Sequence, residues 1–150
     1  MEYRIATIYD CETLTDLRMR MRKELDSDFN FELIYAETMD FFKRNIKSGT
    51  HIAFVCEYDK QMIGTVGITL FEIMPTTEHP NGKVARLMNM YVEPIYRHKG
   101  IAKALLNCAM MYVREHQIGK IMLNPSRTGK SLYENYGFQP LSDEYVFYLH

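Results

Sequence analysis

Tryptophan is absent from this sequence, and proline, glycine and cysteine are scarce, with 5, 8 and 3 residues of 150. So few prolines and glycines exclude a collagen-like repeat and argue against a low-complexity, disordered chain. Cys11, Cys56 and Cys108 are odd in number and widely spaced, without a CxxC pair or a histidine at ligand spacing. This pattern argues against a disulfide framework and a metal site, and we expect reduced, structural cysteines and no bound metal.

Long uncharged apolar runs are also missing. No such run approaches the ~18 residues of a membrane span, and the segment Met1–Arg4 lacks the apolar core of a signal peptide. The formal net charge is −1, so the chain as a whole attracts neither nucleic acid nor an anionic membrane. We therefore expect a cytoplasmic protein that binds no nucleic acid and no membrane, with any binding of anions confined to local basic segments.

What is present is typical of a globular domain, with 47% hydrophobic and 25% charged residues. At this length a single domain over residues 1–150 is expected. Periodicity, Gly and Pro positions predict the order of elements along the chain. Strands are predicted at 3–8, 51–58, 62–73, 84–92, 120–123 and 144–149, and helices after Asp10 to 25, at 31–47, from 100 to a stop at Gly119, and at 129–136.

The first helix carries an apolar stripe together with a dense set of charges. One interpretation of these charges is a solvated helix face. The other is that the helix borders a substrate pocket, with Glu24 or an arginine turned inward. The charged residues are Arg18, Arg20, Arg22, Lys23 and Glu24.

The stretch Tyr91–Leu106 predicts a strand, a tight basic loop and a helix. Pro94 ends the strand, and a run of good helix formers begins after Gly100. In such a loop the free N–H groups of the first helical turn converge and carry the positive end of the helix dipole. Cationic or potentially cationic side chains surround them at Arg97, His98, Lys99 and Lys103. The loop therefore predicts a phosphate site.

Two familiar nucleotide fingerprints do not fit this loop. A Rossmann motif needs three spaced glycines, of which only Gly100 is present. A P-loop ending at Gly129-Lys130-Ser131 would need a glycine at position 124, which is Asn124. A glycine loop alone is weak evidence, so the phosphate-bearing ligand depends on further motifs.

The segment Arg97-x-x-Gly100-x-Ala102 resembles the pyrophosphate-binding [QR]-x-x-G-x-[GA] signature of the GNAT N-acetyltransferase superfamily. Downstream, Leu132–Phe138 is similar to the L-Y-[EK]-x-x-G-F segment near the family's C-terminal end. The resemblance implies an α/β (α+β) fold with a mixed central sheet of about six or seven strands, flanked by about four helices. It implies an N-acetyltransferase that uses acetyl-CoA as cosubstrate and needs no metal.

Within this resemblance, residues 84–140 form the acetyl-CoA-binding βαβα core and residues 1–83 form the acceptor side. Main-chain groups of Met90 and Val92 would pair with pantetheine, and Tyr133 would protonate the departing thiolate. Asn124, Ser126 and Gly129 would border the thiol end. The implied acetyl-CoA contacts are Met90, Tyr91, Val92, Arg97, His98, Lys99, Gly100, Ile101, Ala102, Lys103, Asn124, Ser126 and Gly129.

The general base stays open. Arg86 stands at one position where family members place a glutamate, so that assignment does not transfer to this chain. Glu24, Glu72, Glu93 and a water relay are the alternatives. The missing glutamate also keeps a second function open, a non-catalytic acyl-CoA-binding or regulatory module with the same fold.

The acceptor amine is not readable from the sequence. The first two helices and the loop at His79 are expected to form its pocket, which suits either a small-molecule amine or a peptide or protein amine. The final strand is expected to leave an exposed edge, through which a homodimer could form.

Overall fold

Five strands in one sheet organise the chain in a computed structural model that describes residues 1–141 and 143–149. Short 3-10 turns at Ile8–Asp10 and Pro94–Tyr96 accompany the main elements. In chain order the elements are β1 Glu2–Ile5, α1 Cys11–Leu25, α2 Phe31–Ser48, β2 His51–Tyr58, β3 Gln61–Glu72, β4 Lys83–Val92, α3 Ile101–Glu115, β5 Lys120–Met122 and α4 Lys130–Tyr136.

The strands lie in sequence order, β1-β2-β3-β4-β5, and the sheet is mixed. Neighbours are antiparallel except β4 and β5, which are parallel and joined by α3. The predicted βαβ unit, mixed sheet and four helices are confirmed. Within the described residues the sheet has five strands, fewer than the six or seven predicted. None of the helices found there is long and apolar enough to cross a membrane.

The first two helices differ in how their ends are capped. α2 begins where the Asn30 side chain accepts a hydrogen bond from Leu33 N (3.1 Å), and it ends at Gly49, whose φ is 78°. Asp10 directly precedes α1, but its side chain does not cap that helix. Its carboxylate instead accepts from the Thr7 backbone (2.7 Å) and from the Arg4 guanidinium (2.8 Å), because Thr7 and Asp10 form a capping box on the preceding turn.

Apolar side chains cover both faces of the sheet. α3 packs Leu105, Leu106 and Ala109 against one face. α1 and α2 cover the other face, where Leu14 and Phe42 are buried. Each such large side chain contributes roughly 1.5–3 kcal/mol by its burial, so the helices are held to the sheet mainly by their apolar stripes.

β4 contains a bulge that reverses which of its side chains face each layer. The register with β3 shifts between Thr65 and Gly67, and Asn89 adopts a φ of 61°. Leu87 before the bulge and Val92 after it both pack in the α3 layer, although they are an odd number of residues apart. The bulge therefore turns Asn89 and Tyr91 toward α1.

Neighbouring groups approach β3 closely at two of its glycines. A Cβ on Gly67 would lie 2.6 Å from the His51 ring, and one on Gly64 would lie 3.2 Å from the Tyr91 carbonyl oxygen. Glycine at both positions thus allows neighbouring groups to sit against the strand.

The parallel pair β4 and β5 separates early. Pairing covers only Val84 to Arg86, opposite Lys120 to Met122. The parallel pairing therefore ends six residues before the end of β4 at Val92. Because β5 stops at Met122, none of the strands in the described part of the chain lies beside that edge of β4 from residue 87 onward.

Two C-terminal expectations need correction. α3 ends at Glu115, with Gln117 at a φ of 54°, and not at Gly119. Residues 143–149 are irregular and carry exposed apolar side chains, so the predicted strand at 144–149 is wrong. Their β-branched and aromatic residues fit a sheet, but propensity alone supplies no partner strand. The expected homodimer depended on that strand and loses this support.

Candidate functional site

A cleft of about 700 Å³ runs between α1, the open edge of β4 and the start of α3. Its walls combine exposed backbone at one end with apolar and cationic side chains along its length. The lining residues are Arg18, Met21, Glu24, Leu25, Arg86, Leu87, Met88, Asn89, Met90, Tyr91, Val92, Tyr96, Arg97, His98, Gly100, Ile101, Ala102, Lys103, Asn124, Ser126, Thr128, Gly129 and Leu132.

The loop before α3 and the first turn of that helix line this cleft. His98 and Gly100 both have positive φ values, 61° and 83°. No atom lies within 4 Å of where a Gly100 Cβ would be, so glycine is favoured there by its φ and not by lack of space. No side chain caps α3, and its first turn contains no acidic residue. The free N–H groups of Ile101, Ala102 and Lys103 therefore form an uncapped helix start, a geometry that suits an anion.

Arg97 connects this loop to α1. Its Nε donates to the Val92 carbonyl oxygen at 2.7 Å, and its Nη2 donates to both Glu24 carboxylate oxygens at 2.8 and 3.0 Å. The Tyr91 hydroxyl donates to Glu24 Oε1 at 3.1 Å. Burial, together with the charges of Glu93 and Glu24, raises the pKa of Tyr91 to about 12, so this phenol stays a donor at neutral pH.

The alternatives for the base occupy different places. Glu24 lines the cleft, where it is engaged by Arg97 and Tyr91. Glu93 forms an ion pair with Arg20. Glu72 lies at the end of β3 opposite Lys83, away from the cleft. Among the described residues Glu24 is thus the acidic side chain on the cleft wall.

Tyr133 lies beside the cleft and not in it. It lines a second cavity of about 510 Å³, whose walls share Arg86 and Asn124 with the cleft. The side chain is 7% exposed, and burial raises the pKa of its hydroxyl to about 12. The second cavity and the cleft therefore adjoin at Arg86 and Asn124, with Tyr133 on the wall of the second cavity.

Most of the predicted contact residues come together in the cleft. Lys99 does not line it, because its Nζ lies over the Tyr96 ring, 5.5 Å from the centroid. The roles of all these residues stay predictions. Those found on the cleft wall are Met90, Tyr91, Val92, Arg97, His98, Gly100, Ile101, Ala102, Lys103, Asn124, Ser126 and Gly129.

Several lining residues were missed by sequence reasoning. Asn89 could have been suspected, because asparagine tolerates a positive φ within a strand. Arg18 was covered only by the general expectation that an arginine of α1 turns inward. The other missed residues are Met21, Leu25, Leu87, Met88, Tyr96, Thr128 and Leu132.

The loop at His79 was expected at the acceptor pocket, which is wrong. The His79 Nε2 bonds the Lys83 carbonyl oxygen at 2.8 Å, and its ring packs at Gly119. This places the loop at the start of β4, the end of the strand opposite the α3 loop. α2 also contributes no lining residue, so α1 alone among the first two helices borders the cleft.

The comparisons with known proteins agree with this geometry. The model of the acetyltransferase (GNAT) domain family matches residues 49–140. A predicted acetyltransferase from Clostridium acetobutylicum, solved with acetyl-CoA, is 28% identical, with a TM-score of 0.88 over 99% of this chain and 95% of that one. A GCN5-related N-acetyltransferase from Ralstonia eutropha JMP134 is 26% identical, with a TM-score of 0.86 over 99% and 97% of the two chains.

A curated relative, N-acetyltransferase 8B of Rattus norvegicus, is 28% identical over 110 residues. The match covers 71% of this chain and 47% of the relative, so the chain spans about half the length of that protein. The fold and the cleft define the acetyltransferase class of α+β proteins. With the family model matching well over half of its length, the chain belongs to the GNAT acetyltransferase family.

Proposed function

We propose that this protein is an N-acetyltransferase that moves the acetyl group of acetyl-CoA directly to an amine. The observation that carries the proposal is the uncapped start of α3, which opens into the same cleft as the unpaired edge of β4. The first feature suits a diphosphate, and the second suits the amides of pantetheine. The similar Clostridium acetobutylicum structure, which holds acetyl-CoA, supports this ligand.

The cosubstrate would lie along the cleft in a defined direction. The diphosphate would be held by N–H groups of residues 97–103, and pantetheine would pair with the main chain of Met90 and Val92. The thioester would then lie near the β4 bulge, flanked by Asn124, Ser126 and Gly129. In this division residues 84–140 bind acetyl-CoA, and residues 1–83 supply α1 to the acceptor side.

Transfer needs one bond made and one broken. The lone pair of a neutral amine attacks the acetyl carbonyl carbon, the C–S bond breaks, and the amine loses a proton. A backbone N–H near Met90 would polarise the carbonyl oxygen. The Tyr133 hydroxyl would give its proton to the thiolate, a role that suits a phenol kept protonated by burial.

No covalent enzyme intermediate is needed in this scheme. Burial raises the pKa of the Cys11, Cys56 and Cys108 thiols, and none of them lines either cavity. The three thiols are therefore poorly suited to act as nucleophiles. The proton of the amine would leave through Glu24, once its partners release it, or through water.

The test is release of free CoA thiol from acetyl-CoA in the presence of chemically diverse amines, with mass spectrometry of each amine. The proposal expects thiol release that depends on the amine and an equal amount of acetylated amine. Thermal stabilisation by CoA without turnover of any amine would contradict it. That result would favour the second function, an acyl-CoA-binding module, for which Arg86 at the position of the family glutamate is the motivating observation.

A further inference from the structure

Arg18 is a half-buried cation on the cleft wall that lacks an acidic partner. It projects from the middle of α1 and lines the cleft together with the apolar Met21 and Met88. Across the described residues, 1–141 and 143–149, it takes part in no ion pair. Its charge is therefore left to be balanced by something that enters the cleft.

The hydrogen bonds of this guanidinium are also incomplete. Arg18 Nη1 donates to Asn89 Oδ1 at 3.4 Å, a long contact. A guanidinium carries five N–H donors, and a partly desolvated cation is costly unless those donors and the charge are matched. Burial and the neighbouring charge of Arg22 both lower the pKa of Arg18, and no carboxylate opposes them.

The position of Arg18 along the cleft separates it from the diphosphate end. Glu24 marks that end on α1, because it contacts Arg97. Arg18 lies six residues earlier on the same helix, about 9 Å away along its axis at ~1.5 Å per residue. There it faces the β4 bulge, near which the thioester is proposed to lie.

Arg86 is a second cation that lines the cleft. Arg86 lines both the cleft and the neighbouring cavity, and no ion pair of the described residues includes it. Both arginines thus lie on the side of the thioester away from the diphosphate loop. In a cleft of reduced dielectric, their field favours an anion more strongly than it would in water.

We propose that the acceptor is a small amine that also carries an anionic group, a carboxylate or a phosphate, and that this group pairs with Arg18 while the amine faces the thioester. The inference rests on the acetyl transfer proposed above. A guanidinium fork matches the paired oxygens of either group. The contact of this fork with Asn89 Oδ1 is long, which leaves its donors free for such a group.

The experiment compares matched pairs of amines in the acetyl-CoA thiol-release assay. Each amino acid is paired with its α-amide, and ethanolamine phosphate is paired with ethanolamine. We expect kcat/KM for the anionic member of at least one pair to exceed that of its neutral partner by about tenfold or more. The carboxylate and phosphate arms identify which anion is recognised. Equal acetylation of both members in every productive pair would overturn the inference.

Variants assign the preference to Arg18. In R18Q the ratio of kcat/KM for the anionic amine to kcat/KM for its neutral partner should fall near one. R18K should restore part of that ratio. R44Q removes one positive charge from the exposed surface of α2 and should keep the native ratio. A native ratio in R18Q would overturn the assignment.

A binding measurement keeps the two proposals separable. If no amine is acetylated, the transfer proposal fails, and the anion site is then tested with CoA-loaded protein by thermal shift. N-acetyl amino acids and N-acetylethanolamine phosphate should raise the melting temperature more than the corresponding amides and N-acetylethanolamine, and R18Q should lose the difference. No difference in the native protein would overturn the anion site by itself.

Discussion

The two ends of the cleft differ in the chemical groups that line them. At the α3 end, the binding groups are backbone N–H groups set by the φ values of His98 and Gly100. At the α1 end, the wall is made of side chains, with Arg18 held by Asn89 and Glu24 held by Arg97. A backbone site suits a ligand shared by a whole family, and a side-chain wall can change with the acceptor.

His51 offers the largest expected effect, because it is buried against the Phe41 and Phe42 rings of α2. Its ring is 3% exposed, and burial followed by the charge of Arg18 lowers its pKa to about 4. The folded state thus holds it neutral, while the unfolded chain binds its proton near pH 6.5. Its contribution is complete above pH 6.5 and is lost as the pH falls toward 4, by about 3 kcal/mol in total.

Urea unfolding from pH 7.5 down to 4 measures this loss. The variant H51Q removes the titrating ring, so its free energy of unfolding should fall less steeply over that range, whatever its stability at neutral pH. An equal slope in both proteins would mean that the free energy of unfolding does not depend on keeping His51 neutral in the folded state.

The substitution Ala102→Glu tests the backbone N–H groups at the α3 end of the cleft. Ala102 lies in the first turn of α3 and lines the cleft, so a carboxylate there would repel the diphosphate and compete for the same N–H groups. We expect the calorimetric Kd for CoA to rise by about 100-fold, or ~2.7 kcal/mol. Met111→Glu adds the same charge on the exposed face of α3 and should leave Kd unchanged.

An unchanged Kd in A102E would place the diphosphate elsewhere. Stability should be preserved in A102E, because an acidic residue in a first helical turn is favourable. The melting temperature of the free protein checks that point.

Tyr133→Phe separates chemistry from binding. Removing the hydroxyl should lower kcat about tenfold or more and leave the Kd for CoA within about twofold, since only the proton donor is lost. Because burial raises the pKa of Tyr133 to about 12, kcat of the native enzyme should not decline as the pH passes 10. A native kcat in Y133F would remove Tyr133 from the mechanism.

Glu24→Gln gives the smallest expected effect, and it tests the contact that joins the two ends. Arg97 must break its ion pair with Glu24 if it turns to the diphosphate. Because the pair is half-exposed, breaking it costs below about 1 kcal/mol. E24Q should therefore strengthen CoA binding by about two- to fivefold. Weaker CoA binding in E24Q would show that the pair persists in the complex.

Local chemistry explains which parts could be predicted from the sequence. The strand, loop and helix could be predicted because Pro94, Gly100 and the helix formers after Gly100 constrain the backbone next to them. The apolar stripe of α2 and its stop at Gly49 were equally readable. Nine of the twelve predicted contact residues on the cleft wall, those between Met90 and Lys103, belong to that strand, loop and helix.

What could not be predicted depends on long-range geometry. The pairing of Arg18 with Asn89 joins residues 71 positions apart, and it exists only because the bulge reverses the faces of β4. The early divergence of β4 and β5 depends on where β5 stops. The exposed segment 143–149 shows the same limit, because its strand-like composition needs a partner that local sequence does not specify.

The most direct test of the account is an amide chemical-shift titration of the ¹⁵N-labelled protein with acetyl-CoA and with S-acetylpantetheine, which lacks the diphosphate. If the start of α3 binds the diphosphate, acetyl-CoA should shift the amides of Gly100 to Lys103 and of the β4 edge at Met90 to Val92, whereas S-acetylpantetheine should shift only the β4 edge. Shifts at Gly100 to Lys103 that are equal for both ligands, or absent with acetyl-CoA, would contradict diphosphate binding by the start of α3.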